Sequence, residues 1–155
     1  MNRTSKPLRL EAFLPYRLSI ASNLVSDAIA ETYRALFGLR IPEWRLIAVL
    51  AESDGLTQQA LGARTRMDKV TVSRAAATLV ERGLIARTPN TADQRSHLLA
   101  LTGAGKALYG EVAPKALEME RRIFGGLSSD EVATLDELLS RIEDAATRLD
   151  ATPSR

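Results

Sequence analysis

The sequence predicts a mainly α-helical fold with one small β-hairpin, on three observations. Apolar residues recur at spacings of three and four along most of the chain, the period of an amphipathic helix. Aromatic residues make up only 5% of the chain, so Ala, Leu, Val and Ile supply most of the apolar content, and Ala and Leu favour helix over strand. Near the middle, the helical period gives way to two short extended runs around a turn-rich segment. A length of 155 residues fits a single domain, residues 1–155, able to bury its own core.

Residues 10–37 read as one long helix. Leu14, Leu18, Ala21, Val25, Ala28 and Thr32 form its apolar stripe, Ile29, Tyr33 and Leu36 widen it, and Gly38 ends it. Pro42 suits a first helical position, and Trp44, Ile47, Ala48, Leu50 and Ala51 make a short helix stopped by Ser53, Asp54 and Gly55. Thr57 is placed to cap a helix over 58–63. Asp68 is placed to cap another over 69–82, with Val72, Ala76, Leu79 and Val80 inward and Gly83 closing it. Two short helices joined by a tight turn, the second with a polar outer face, make a helix-turn-helix.

Residues 84–88 and 97–101 then read as the strands of a hairpin with a long polar tip. Thr102 can cap a helix reaching about Phe124, in which Pro114 predicts a kink or a break. After Gly125 and Gly126, the run Ser128-Ser129-Asp130-Glu131 has the capping-box pattern. The helix it opens carries Val132, Leu135, Leu138, Leu139, Ile142, Ala145, Ala146 and Leu149 on one stripe. About the last five residues read as disordered. This order of elements defines a winged helix-turn-helix flanked by N- and C-terminal helices.

Composition removes several function classes. With no cysteine, disulfides, zinc–thiolate sites, a catalytic thiol and thiol-based sensing are excluded. The single histidine, His97, cannot build a multi-histidine metal site and reads as an ordinary strand residue; no cofactor is expected. There is no Gly-rich phosphate loop and no nucleophile elbow, so no enzymatic chemistry is expected. The basic start lacks an apolar segment behind it and no apolar run nears the ~20 residues of a membrane span, so a cytoplasmic protein without membrane partners is expected.

Net charge is only +2, but it is unevenly placed. Residues 64–95 hold seven basic side chains against three acidic ones, whereas residues 111–150 hold ten acidic against five basic. A basic middle beside an acidic C-terminal third points to a polyanion-facing module attached to something else. On the second short helix, Lys69, Thr71, Ser73 and Arg74 lie outside or at the edge of the apolar stripe. Arg74 has the donor fork for guanine O6 and N7, Thr71 and Ser73 can bond base edges or phosphates, and Lys69 suits a phosphate. At the hairpin tip, Arg95 can enter a narrow minor groove, and Asp93 can hold the tip by pairing with Arg95 or a backbone donor.

The run Asp68-Lys69-Val70-Thr71-Val72-Ser73-Arg74, the segment Leu79 to Ile85, the tip Asp93-Gln94-Arg95 and the exit Leu99-Ala100-Leu101-Thr102-Gly103-Ala104-Gly105 together resemble the MarR family of bacterial transcription regulators. The order of helices is similar over essentially the whole chain. The resemblance implies a DNA-binding regulator, a repressor by steric block of a promoter, in which Thr71, Ser73 and Arg74 match base-reading positions and Arg95 the minor-groove arginine of the wing. Gln94 stands where the family commonly has arginine, which puts one backbone or groove contact in doubt.

The resemblance also implies a homodimer with intertwined terminal helices. Residues 10–37 would be the first dimerisation helix, 42–102 the DNA-binding lobe and 103–150 the C-terminal dimerisation helices. The stripes on the first and last helices exceed what one small lobe needs to cover. Two-fold symmetry implies double-stranded DNA with a pseudo-palindromic operator as partner. Relatives are released by small aromatic ligands bound between dimerisation helices and lobe; the candidates there are Tyr33, Phe37, Trp44, Arg45 and Tyr109, for which core packing is the competing reading. The alternative to DNA binding is a winged-helix module that docks another protein. It would require an apolar or acidic outer face on the second helix, where Lys69, Thr71, Ser73 and Arg74 stand.

Overall fold

A computed structural model describes residues 7–151; the readings made for the first six residues and for the end of the chain lie outside the described residues. The chain divides into two compact units between Ala116 and Leu117.

The first unit opens with a single 3₁₀ turn, Leu10–Ala12, followed by α1, Leu14–Phe37. The helix expected over 10–37 is therefore interrupted at Phe13, which is extended. Pro15 is the cause: its ring obstructs the carbonyl four residues back and it has no N–H, so it is tolerated only in a helix's first turn. At its other end α1 closes on Gly38, whose φ of 60° puts it in the left-handed region a helix terminus favours.

Three helices then form the lobe: α2 (Ile41–Ala51), α3 (Gln58–Thr65) and α4 (Lys69–Glu81). At the start of α2, Glu43 is only 3% exposed, and its carboxylate accepts a 2.7 Å hydrogen bond from the Arg40 amide, an end otherwise left unpaired. Thr57 and Asp68 cap as expected, accepting from the amides of Ala60 at 3.1 Å and Thr71 at 2.8 Å. α3 runs two residues beyond the expected end at 63 and stops at Arg66, whose φ is 53°. Leu46, Ile47, Leu50, Leu61, Val72, Ala75, Ala76 and Leu79 interdigitate in the core. Val80 packs half-buried against this core, and Ala75 is buried in addition to the residues expected inward.

Gly83, with φ of 70°, ends α4; its amide bonds to the Val80 carbonyl and the Leu84 amide to that of Leu79. Because Leu84 is spent on closing the helix, β1 begins one residue later than expected, at Ile85, and runs to Pro89. It pairs antiparallel with β2, His97–Leu101, with Ile85 opposite Leu101 and Pro89 opposite His97. Leu56 adds a third, one-residue rung through two bonds with Leu99, of 3.0 and 2.8 Å. Arg82 joins distant segments: its guanidinium donates to the carbonyls of Gly38 and Phe37 at 3.1 and 3.2 Å, tying the end of α4 to the end of α1.

α5 runs unbroken from Gly103 to Phe124. The break considered at Pro114 is absent. The carbonyl that loses its partner there belongs to Gly110, which has no side chain to hinder its adjustment. In the second unit, α6 (Ser129–Asp150) opens with the reciprocal Ser128–Glu131 capping box, with bonds of 3.1 and 2.7 Å. No residue of α6 is buried. Among the described residues no helix is long and apolar enough to cross a membrane.

Candidate nucleic-acid interface

The outward face of α4 is set by its capping. Asp68 accepts from the Thr71 amide and, at 2.9 Å, from the Thr71 hydroxyl. Thr71 is half-buried and its hydroxyl proton is committed to the cap, so toward DNA it can only accept. The exposed row consists of Val70, Ser73, Arg74 and Ala77, spaced as one helical face. Val70 and Ala77 were not legible as interface residues from polarity. Val70 is 57% exposed, on the face that carries Arg74, and an apolar side chain there can contact a thymine methyl. Their spacing from Arg74 is the signal that finds them.

The Asp68 carboxyl is held below the usual carboxylate range, first by the Thr71 amide and then by its hydroxyl. The ionised cap therefore contributes its full stabilisation above that range and loses it as pH falls through the lowered value. The melting temperature of the protein is expected to exceed that of Asp68→Ala at pH 7, with the gap closing toward pH 3. A gap independent of pH would refute the assignment.

A second surface lies between the start of α3, the start of α4 and the hairpin. It is a groove of about 390 Å³ lined by Gln58, Gln59, Lys69, Arg87, Arg95 and His97, among others. The Lys69 ammonium and the guanidinium groups of Arg74, Arg87 and Arg95 have no hydrogen bond or ion pair with any described residue. Unpaired cations around one groove are suited to phosphates. His97 is exposed there and its ring makes no hydrogen bond to a described residue, so it belongs to the groove as well as to β2. Arg87 was missed because a lone arginine on a predicted strand carries no local signal; only the hairpin register sets it near Lys69.

At the tip, the Asp93 carboxylate accepts from the Arg95 amide at 3.0 Å, and the Ser96 amide bonds to the Asp93 carbonyl at 3.1 Å. Asn90 braces the other side, donating to the Ser96 hydroxyl at 3.0 Å. Asp93 thus shapes the turn that presents Arg95. Gln94 is exposed beside it.

The five candidates for a ligand pocket are brought together in part. Tyr33 meets Trp44 edge-on with ring centres 5.6 Å apart, and Trp44 stacks on Tyr109 at 5.9 Å. Burial raises the pKa of the Tyr33 phenol. Phe37 packs half-buried against the same core, whereas Arg45 is exposed. The rings occupy the space between them.

A buried three-helix lobe, a capped helix with an open face and a cationic hairpin beside it define a winged helix-turn-helix. Residues 37–96 match the model of the MarR family. The chain is 31% identical over 106 residues to the HTH-type transcriptional regulator FarR of Neisseria gonorrhoeae, covering 66% of this chain and 73% of that protein. It belongs to the MarR family of transcriptional regulators. The homoprotocatechuate degradative operon repressor of Escherichia coli is 27% identical over 125 residues, 79% of this chain and 84% of its own. The solved MarR family regulator of Silicibacter pomeroyi superposes with a TM-score of 0.77 at 30% identity, covering 94% of this chain and 97% of that one.

Proposed function

We propose that this protein is a homodimeric repressor that binds a pseudo-palindromic operator through α4 and the wing and is released by a small ligand. The observation that carries the reading is the open row of α4, with Arg74 unpaired, next to a groove of unpaired cations. Arg74 and Ser73 read base edges, Val70 reads a thymine methyl, Lys69 and Arg87 hold phosphates, and Arg95 enters the minor groove. Thr71 and Asp93 serve mainly by ordering α4 and the tip. A surface for docking another protein is disfavoured by the same face, which has no acidic residue in this row and presents Ser73 and Arg74 beside Lys69. The protein acts in the cytoplasm and carries out no chemistry of its own. Repression follows from steric block of a promoter, and the similarity to a degradative operon repressor supports it.

Apolar side chains left open on α1 and α6 support the dimer. Leu14 is 77% and Leu149 76% exposed, and Leu18, Leu24, Val132, Leu138 and Ile142 are open too. Residues 10–37 and 103–150 supply the dimer contacts, and 42–102 the DNA-binding lobe. A second copy would cover these rows, since isolated apolar stripes of this length are unfavourable in water. Light scattering is expected to give twice the mass of one chain at micromolar concentration; a monomer would refute this part. The effector region is the Tyr33–Trp44–Tyr109 stack with Phe37 and Arg45, where a small aromatic acid would have to part the rings. Addition of such acids to the protein–DNA complex tests release.

The test of the whole reading is fluorescence anisotropy with DNA from upstream of the protein's own gene and with a scrambled duplex, at two salt concentrations. A preference of ~10³ or more is expected. Equal, weak binding to both would overturn sequence-specific recognition.

A further inference from the structure

Arg82 stands where two helices end. It is the C-terminal cap of α4, its amide bonded to the carbonyls of Thr78 and Val80. Its guanidinium reaches across to the last carbonyls of α1, Gly38 at 3.1 Å and Phe37 at 3.2 Å. The final carbonyls of a helix have no partner within it and carry the negative end of the helix dipole. Two such ends within reach of one side chain repel each other unless a cation lies between them. Arg82 supplies that cation, with two N–H groups directed at two consecutive acceptors.

The packing beside this contact is apolar. Leu39, which follows Gly38, and Leu79, three residues before Arg82, are both fully buried in one core. Apolar burial holds the two ends together but is non-directional, so it defines the angle between the helices only weakly. A planar fork on two consecutive carbonyls is directional. Arg82 forms no ion pair with any described residue, so its charge is spent on these carbonyls.

We propose that Arg82 is a positioning residue for operator recognition: by fixing the angle of α4 on α1, it sets the separation of the two copies of α4 in the dimer. This role rests on the dimeric, operator-binding reading, in which α1 supplies dimer contacts and α4 enters the major groove. The lever is long enough to matter. α4 has 13 residues and spans about 20 Å, so a swing of about 10° at Arg82 moves its far end by about 3 Å, close to one base-pair step. Without the fork, the dimer presents a spread of separations, and only the fraction that matches the operator binds well.

Pulsed electron paramagnetic resonance on the free protein reads the angle without DNA. The chain has no cysteine, so Arg17→Cys on α1 and Ala77→Cys on α4 take spin labels at those sites alone. Dilution with unlabelled chain isolates the distance within one copy. A narrow distribution is expected; Arg82→Ala should broaden it, and Arg82→Lys should fall between, because an ammonium keeps the charge but not the fork. A distribution unchanged by Arg82→Ala would overturn the proposal, whatever the DNA result. Unlabelled proteins are then titrated with the upstream operator and with versions one base pair longer or shorter at its centre. Each change shifts the half-sites by about 3.4 Å and turns them by about a tenth of a turn. Arg82→Ala is expected to lose about tenfold on the native spacing, the loss when about one dimer in ten presents the right separation. It should also discriminate less against the altered spacings than the parent protein does. The salt slope should stay the same, since the guanidinium holds carbonyls rather than phosphates. A loss equal on operator and scrambled duplex, with a slope lower by about one, would make Arg82 a phosphate contact and sink the proposal. An identical spacing penalty in both proteins would do so too. A parent protein without operator preference would remove the operator reading and this role with it, and is told apart by a spin-label distribution that still depends on Arg82.

Discussion

Arg74→Ala is expected to weaken binding to the operator by roughly ten- to a hundredfold, the worth of one bidentate base contact. Affinity for a scrambled duplex should change little, and the melting temperature should stay within about 2 °C, because the side chain is exposed and has no hydrogen bond or ion pair with any described residue. Lys69→Ala and Arg87→Ala are the contrast. Each removes a groove cation, so each should weaken both duplexes alike and lower the slope of log affinity against log salt by about one. The two patterns separate reading from holding, and anisotropy titrations at several salt concentrations record both. An Arg74→Ala loss that is equal on both duplexes would make Arg74 a phosphate contact and move sequence recognition to Ser73 and Val70.

The parts of this fold legible in the sequence are those fixed by near neighbours. Thr57, Asp68 and Ser128 each cap a helix through an amide three residues on, and such spacing can be read directly. The hairpin was legible for the same reason: its turn residues are contiguous. What escaped depends on distant partners or on competition between local rules. Arg82 looks like any helix-terminal arginine until the chain returns the carbonyls of Phe37 and Gly38, some 44 residues away, to its guanidinium. Leu56 shows no strand pattern, because one rung with Leu99 needs none. Thr71 has the residue type of a base reader, but the cap claims its proton first. Likewise Trp44 and Tyr109 carry the composition of an aromatic pocket, and whether such rings line a space or fill it depends on packing that spacing does not encode.

The joint between α4, the wing and α5 should be the least tolerant place in the chain, and Gly105→Ala is its test. A Cβ at Gly105 would overlap the Leu84 carbonyl oxygen and stand 3.0 Å from its carbon and 3.2 Å from Leu101 Cδ2. That carbonyl cannot simply swing away, since it accepts from the Thr102 amide at 3.1 Å. Thr102 in turn donates its hydroxyl to the Gly83 carbonyl at 2.6 Å and accepts from the Gly105 amide at 3.1 Å. Relief of the clash therefore breaks the cap of α5 or displaces the turn that Gly83 closes. A loss of about 3 kcal/mol is expected, which for a chain of this size lowers the melting temperature by roughly 6–12 °C. Gly103→Ala, two residues earlier, is the matched control: a Cβ there meets nothing within 4 Å, so alanine should be neutral or stabilising by up to about 1 kcal/mol. The pair also reaches function. Because the joint sets Arg95 on the wing against Arg74 on α4, Gly105→Ala should weaken operator binding even at temperatures where the protein remains folded, and Gly103→Ala should not. Similar melting of the two variants would mean that the turn after α4 is free to move, and the register of helix and wing would then have to be set by the Leu56–Leu99 rung instead.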